Sequence, residues 1–142
     1  MKPPHDYAVY DLEGRPLAFL EVKRRYNTDA AWARDWHKQL LERIGTPVTA
    51  AVWLITPEHF YTWEAEAAGS DEPKIVPAAP LLKTYFERLL IPSSKVDPQV
   101  FEGIVGLWLQ DVAQDRSRIQ SGAGQELLDL LRGGEIVAES TL

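Results

Sequence analysis

The sequence contains no cysteine and only one methionine in 142 residues. Without cysteine, the chain has no disulfide framework, no thiol nucleophile and no thiolate metal site. It also lacks any run of about 18 apolar residues, so no membrane-spanning helix is expected. Its first residues, MKPPHDYAVY, do not have the pattern of a signal peptide. We therefore expect a cytoplasmic protein with no membrane partner.

Positive charge is in short supply, because 15 lysines and arginines face 21 acidic residues and leave a net charge of −6. Nucleic-acid-binding proteins usually carry a basic surface instead. The cations are clustered, however, since Lys23, Arg24 and Arg25 stand together and the next predicted helix carries several more. A locally basic face is therefore expected. Its helix residues are Arg34, His37, Lys38 and Arg43.

Several functional signatures are also missing. The chain has no zinc-ligand spacing, phosphate-binding glycine loop, serine nucleophile elbow or helix-turn-helix pattern. Gly103 and Gly106 lie inside an apolar helical pattern and are interpreted as close-packing positions. The apolar share of 45% and charged share of 25% are those of a globular domain. The length fits a single domain over residues 1–142.

The stretch HDYAVYDLEGRPLAFLEVKRR predicts a β-hairpin, two apolar strands joined by a tight turn. If Glu13 and Gly14 form a two-residue loop, the register places Asp6 directly opposite Glu21. Side chains alternate along a strand, so Lys23 shares the face of Glu21, and Asp6 joins them from the neighbouring strand. The hairpin therefore predicts two carboxylates and an ammonium group in one place.

This charged trio has a functional and a structural interpretation. Two neighbouring carboxylates repel each other unless a cation lies between them, and hard oxygen ligands suit Mg²⁺ or Mn²⁺. The alternative is an ordinary ion pair on a solvated strand. Leu17 and Phe19 share the predicted face of Glu21, which argues against a solvated face. Asp11 is the rival first acid, but it lies beside the turn and on the other face.

The order of these residues resembles the PD-(D/E)XK nuclease superfamily, which has the restriction-endonuclease-like fold. Asp6 precedes Glu21-Val22-Lys23 on the next strand, and a helix and another strand follow. The resemblance covers Asp6 to Trp63, and His5 stands where the signature has proline. It implies an α/β fold with a mixed β-sheet flanked by helices.

The resemblance also implies a chemistry and a role for each matching residue. Asp6 and Glu21 would be metal ligands, together with the backbone carbonyl of Val22. Lys23 would be the catalytic lysine. Gln39 would point toward the site from the following helix, and the alternative is an ordinary exposed helix glutamine. The cofactor would be Mg²⁺ or Mn²⁺. The expected activity is metal-dependent phosphodiester hydrolysis of nucleic acid, DNA rather than RNA.

Apolar periodicity, capping residues, and Gly and Pro positions predict the remaining elements. Thr28 or Asp29 would cap the first helix. Residues 1–66 would form the nuclease-like core, 67–78 a linker, and 79–142 a helical extension that ends in a short strand. The predicted elements are helix Ala30–Ile44, strands Thr46–Thr56 and His59–Glu66, helices Ala79–Leu90, Asp97–Arg116 and Ser121–Leu131, and strand Glu135–Leu142.

The chain departs from the family pattern at its front end. The resembled fold begins with a helix and a strand ahead of the aspartate, but only five residues precede Asp6. We expect helix Gln125–Leu131 and strand Glu135–Ser140 to replace them, as in a circular permutation, with Glu126 as an additional acid. A truncated gene start or completion by a second subunit are the alternatives.

A second function stays open for the same domain. The acidic charge, the incomplete front end and the large helical half also suit an inactive nuclease-like domain. Such a domain would act as a protein-interaction or regulatory subunit. The helices between residues 79 and 116 have no place in the minimal fold, so they would serve as a lid, a DNA-contacting insert or the surface of a homodimer.

Overall fold

The computed structural model of the chain describes residues 6–44, 50–64, 72–114 and 134–138, with only the backbone described for residues 44, 113, 114 and 134–138. These residues form a mixed α/β structure with one six-stranded sheet in the order β5-β4-β3-β2-β1-β6. The strands are β1 (Tyr7–Asp11), β2 (Pro16–Val22), β3 (Ala51–Ile55), β4 (His59–Trp63), β5 (Lys74–Pro77) and β6 (Gly134–Ala138). The helices are α1 (Ala30–Ile44), α2 (Ala79–Leu89) and α3 (Pro98–Gln114), with a 3₁₀ turn at Ser93–Lys95.

The hairpin of β1 and β2 has the predicted register at the end where the candidate residues lie. Tyr7 pairs with Leu20 and Ala8 pairs with Phe19. The ladder continues one residue further, because the Asp6 N–H donates to the Leu20 carbonyl at 3.0 Å. Asp6 is therefore held beside the residue that follows Leu20, as the sequence predicts.

The predicted two-residue turn is wrong. Asp11 and Arg15 close a three-residue loop, with the Asp11 N–H donating to the Arg15 carbonyl at 2.9 Å and Gly14 at a φ of 81°. Asp11 Oδ1 accepts the N–H groups of Glu13 and Arg15, which fixes the turn. This bond from Arg15 is the main cause that lowers the pKa of the Asp11 carboxyl. Asp11 is thus a turn residue, far along the hairpin from Glu21.

A second irregularity compensates the longer loop. Val9 pairs with Ala18, whereas Tyr10 pairs with Pro16, so Leu17 is an extra residue between the two pairs. Such a bulge returns the strand to the register of its other end. Leu17 therefore packs with the α2 and α3 side of the sheet, and its predicted place on the face of Glu21 is wrong.

Strand β2 of the hairpin also belongs to a parallel unit, in which helix α1 connects β2 to the parallel strand β3. Glu21 pairs with Leu54 and Val22 with Ile55. Helix α1 has the predicted bounds, and Asp29 is its cap, since Asp29 Oδ1 accepts the Trp32 N–H at 2.9 Å. Every residue of β3 is buried, as expected for a strand covered on both faces.

Two apolar clusters cover the two faces of the sheet. The α1 face is the smaller: Ala33, Trp36, Leu40, Val52, Leu54, Tyr61 and Trp63. The other face packs against α2 and α3, and its largest side chains are Trp53, Phe60, Phe86, Phe101 and Trp108. Helices α2 and α3 therefore build the main core, which corrects their expected role as a lid or insert.

The two edges of the sheet give one correction and one confirmed prediction. The expected linker 67–78 contains a strand instead, because β5 pairs with β4 and extends the sheet at one edge. At the opposite edge, β6 pairs antiparallel with β1, with Tyr7 opposite Ala138. The tail strand thus joins the sheet of the hairpin, as predicted. The tail helix with Glu126 lies outside the described residues.

The close-packing prediction for the two glycines of α3 is correct for Gly106 and wrong for Gly103. A Cβ placed on Gly106 would lie 2.9 Å from the Tyr7 hydroxyl, so this position requires close packing. Gly103 is exposed, and a Cβ there would meet no described atom within 4 Å, so the close-packing prediction is wrong for Gly103.

Among the described residues, no helix is long and apolar enough to cross a membrane.

Candidate active site

Asp6 is buried at the end of the hairpin, with 2% of its surface exposed. Its Oδ2 accepts the N–H of Val22 at 2.7 Å, so the carboxylate of the first strand is bonded to the backbone of the second. A charge-assisted bond of this length fixes the orientation of the carboxylate. The Asp6 charge also contributes, after burial and the Glu102 charge, to a raised pKa of the Tyr7 phenol.

Glu21 and Lys23 lie on the same side of β2, as predicted from strand alternation. Lys23 Nζ is 3.5 Å from Glu21 Oε1. Glu21 is buried, with 9% of its surface exposed, whereas the Lys23 side chain is 40% exposed. The backbone of Lys23 is fixed as well, because its N–H donates to the Ile55 carbonyl of β3 at 2.9 Å.

Val22 lies between these two residues and belongs to the opposite face of the sheet, where its side chain packs against the larger apolar cluster. Its N–H bond to Asp6 places the Val22 backbone beside the Asp6 carboxylate. The structure therefore brings Asp6, Glu21, Val22 and Lys23 to one end of the hairpin.

A cleft of about 530 Å³ opens between the end of β2 and helix α1. Its walls include the Gln39 side chain, whose amide nitrogen donates to Asp35 Oδ2 at 2.9 Å. Gln39 is exposed and lines the same cleft as Lys23, and its expected direction toward the site stays a prediction. The lining residues are Lys23, Trp36, Gln39, Glu42 and Arg43.

The predicted basic face is only partly present. His37 is buried, and its ring stacks on Trp63 with centroids 4.2 Å apart, so it does not belong to a cationic surface. The Arg34 guanidinium forms an ion pair with Glu72. The Arg25 guanidinium lies over the Trp32 ring, 5.6 Å from its centroid. Of the predicted helix cations, Arg43 reaches the cleft.

The cleft itself is a feature that sequence reasoning missed. Trp36 belongs to the apolar face of α1, and only its contact with the end of β2 makes it a cleft residue. Glu42 and Arg43 are at the polar end of α1 and carry no motif. A signal was available, since Gln39 and Arg43 are four residues apart and therefore neighbours on one helix surface.

The metal-ligand count of the site is low. Within the described part of the chain, no group of three or more His, Asp or Glu side chains is arranged to hold a metal ion. Asp6 and Glu21 are two carboxylates, and the Val22 carbonyl would be the third protein oxygen.

Comparison of the chain with protein-family models, with curated proteins and with solved structures found no match.

Proposed function

We propose that this chain is a Mg²⁺- or Mn²⁺-dependent nuclease with a restriction-endonuclease-like fold, acting on DNA rather than RNA. The observation that carries the proposal is the position of Lys23. Its ammonium group is 3.5 Å from the buried Glu21, and it lines an open cleft together with Gln39. A half-exposed ammonium group beside a buried carboxylate and at an open cleft would be accessible to a phosphodiester.

The donor set fits the proposed metal. Asp6, Glu21 and the Val22 carbonyl supply hard oxygen atoms, and a set with only two acids leaves coordination positions for water. When bound, such an ion would polarise a phosphoryl oxygen and lower the pKa of a bound water. These two effects are the ones that phosphodiester hydrolysis requires.

The chain supplies the remaining functions of the site. The Lys23 ammonium would orient the attacking water and stabilise negative charge that develops on the phosphoryl oxygens. Glu21 holds that ammonium, and the Val22 N–H holds the Asp6 carboxylate. Because both carboxylates are buried, their electrostatic effect at the reacting atoms is stronger than it would be in water.

The strand order supports the circular permutation. From β6 onward, neighbouring strands in the sheet are β6, β1, β2 and β3, and α1 connects β2 to the parallel β3. The resemblance implies a strand ahead of the aspartate, and β6, which pairs with β1, would be that strand. Fold alone does not define an activity, so the proposal depends on the site.

The test is a cleavage assay with Mn²⁺ on plasmid DNA, single strands, branched junctions and RNA. Lys23→Ala should reduce cleavage by about 10²- to 10⁴-fold, because it removes the group that positions the water. Lys83→Ala is the matched control, since Lys83 forms an exposed ion pair with Glu87 on α2. That control should cleave like the wild type. Equal activity of Lys23→Ala and wild type would contradict the proposal.

Metal binding gives a second readout on the same proteins. Mn²⁺ should raise the melting temperature of the wild type, because a ligand that binds only the folded state stabilises it. Asp6→Asn keeps an acceptor for the Val22 N–H and removes the charge, so this shift should be lost. An unchanged shift in Asp6→Asn would contradict the assignment of Asp6.

An inactive, protein-binding domain is the second candidate function. Leu90, in the left-handed conformation after α2, is 90% exposed, and Leu89 beside it is half exposed. Both stand at the end of the helix that borders a groove of about 650 Å³. Exposed apolar residues of this kind suit a partner or a second copy of the chain. Absence of cleavage together with absence of a metal-dependent thermal shift would favour this function.

A further inference from the structure

The cleft beside Lys23 contains a second cation. Arg43 lies on the last turn of α1, is exposed, and lines the same cleft of about 530 Å³. The two cations approach the cleft from different elements, Lys23 from the end of β2 and Arg43 from α1. One acid, Glu42, is also in the lining, so the described lining has a net positive charge.

Arg43 differs from most of the other arginines that the structure describes. Arg15 is paired with Asp11, Arg34 with Glu72, and Arg25 and Arg88 lie over aromatic rings. Within the described part of the chain, Arg43 has neither an ion pair nor a contact with an aromatic ring. A guanidinium group with its donors available in a cleft is suited to bidentate binding of a phosphate.

The aromatic wall of the cleft indicates what part of a nucleic acid would enter it. Trp36 is only 9% exposed, and its ring packs near Trp63 with centroids 6.0 Å apart. It therefore does not present a free face on which a base could stack. Cations without an aromatic platform favour backbone phosphates, which carry no sequence information.

We propose that Arg43 binds a backbone phosphate next to the scissile one, and that this cleft makes the binding of nucleic acid independent of base sequence. This inference rests on the proposed function, because only a nuclease has a scissile phosphate next to which Arg43 could bind. The phosphate contact itself does not require cleavage. Arg43 is a substrate-binding residue here, whereas Lys23 acts on the reacting phosphate.

The competing explanation of Arg43 is structural. A cation in the last turn of a helix interacts favourably with the helix dipole, and Arg43 is the basic residue of that turn in α1. This role predicts a lower melting temperature for a neutral variant and no effect on nucleic-acid binding. The two explanations are therefore separable.

The experiment measures binding of labelled oligonucleotides by fluorescence anisotropy in EDTA, so that no metal is bound and no cleavage occurs. Arg43→Gln should weaken binding about tenfold, because it removes a charged hydrogen bond to phosphate. It should also reduce the slope of log Kd against log salt concentration by about 0.9 for duplex and about 0.7 for single strands. Oligonucleotides of unrelated sequence should show the same loss, and Arg43→Lys should restore part of the binding.

Arg34→Gln is the matched control. It lies on the same helix and causes the same change in net charge, but its guanidinium is paired with Glu72. It should bind with the affinity and salt slope of the wild type. An equal loss in Arg34→Gln and Arg43→Gln would overturn the proposal, because the effect would then be one of net charge. Unchanged binding of Arg43→Gln, a loss for only one sequence, or no binding by the wild type at low salt would also overturn it.

The inference and the proposed function fail in different ways. Binding that depends on Arg43, with no cleavage by the wild type in Mn²⁺, would support the phosphate contact and contradict the nuclease. Cleavage that depends on Lys23, with a KM unchanged in Arg43→Gln, would support the nuclease and overturn the phosphate contact. If both hold, Arg43→Gln should raise KM with little change in kcat.

Discussion

The two faces of the sheet differ in what they bury. The face covered by α2 and α3 buries a large apolar cluster, including the rings of Trp53, Phe60 and Trp108. The α1 side of the sheet has a smaller apolar cluster and carries the buried ionisable residues Asp6, Glu21 and His37. Buried charges reduce stability unless they are compensated. We infer that the first face mainly stabilises the fold, and in the proposed function the second face carries the active site.

Phe101→Ala on α3 is the largest expected change in stability. Phe101 is fully buried and stacks near Phe86, so its truncation should lower the free energy of unfolding by about 3–5 kcal/mol. Phe101→Leu should cost less than about 1.5 kcal/mol, because it preserves most of the volume. Urea denaturation followed by tryptophan fluorescence measures both.

The same variant tests the division between the two faces. Below its melting temperature, Phe101→Ala should cleave nucleic acid at the wild-type rate per folded molecule. A lower rate of cleavage per folded molecule would contradict the comparison, because it would connect the α3 face directly to the site.

The comparison also shows why part of the structure was predictable. Asp6, Glu21 and Lys23 lie together because β-strand alternation and hairpin register depend on local sequence, and both were readable. The predicted turn was wrong by one residue, and the bulge at Leu17 was missed. These two errors compensate each other. The predicted position of Asp6 opposite Glu21 is therefore correct, although the predicted turn and strand register near it are not.

The main core was the part that local sequence did not reveal. The apolar residues of α3, among them Phe101 and Trp108, are visible in the sequence, but the surface that covers them is not. The strand β5 was hidden in a stretch rich in proline and charge, since a short edge strand needs few apolar residues. The cleft with Arg43 depends on where α1 ends relative to β2, which only the assembled structure defines.

The second prediction concerns the two glycines of α3. Gly106→Ala should lower the free energy of unfolding by about 1–3 kcal/mol, because its Cβ would lie 2.9 Å from the Tyr7 hydroxyl. Gly103→Ala should raise it by about 0.5–1 kcal/mol, since alanine favours the helix and Gly103 is exposed. Thermal denaturation of the two variants is the measurement. Equal effects of the two substitutions would contradict the close approach of α3 to β1.

The smallest expected effect is the one that separates a functional carboxylate from a structural ion pair. Glu21 is buried on the strand next to the buried Asp6, and in the proposed function a metal ion would compensate the two carboxylates. In EDTA, Glu21→Gln should therefore leave the free energy of unfolding unchanged or raise it by up to about 1 kcal/mol, as removal of a functional charge often does.

A structural role predicts the opposite sign. If the ion pair with Lys23 serves stability, Glu21→Gln should lower the free energy of unfolding, by less than a fully buried pair would, because Lys23 is 40% exposed. Glu87→Gln removes one partner of the exposed pair with Lys83 on α2 and should change stability by less than about 0.5 kcal/mol. Destabilisation by Glu21→Gln beyond that control would mean that the α1 side, too, is built for stability at this position. A neutral or stabilising effect of Glu21→Gln would indicate that the Glu21 charge serves function and does not contribute to the free energy of unfolding.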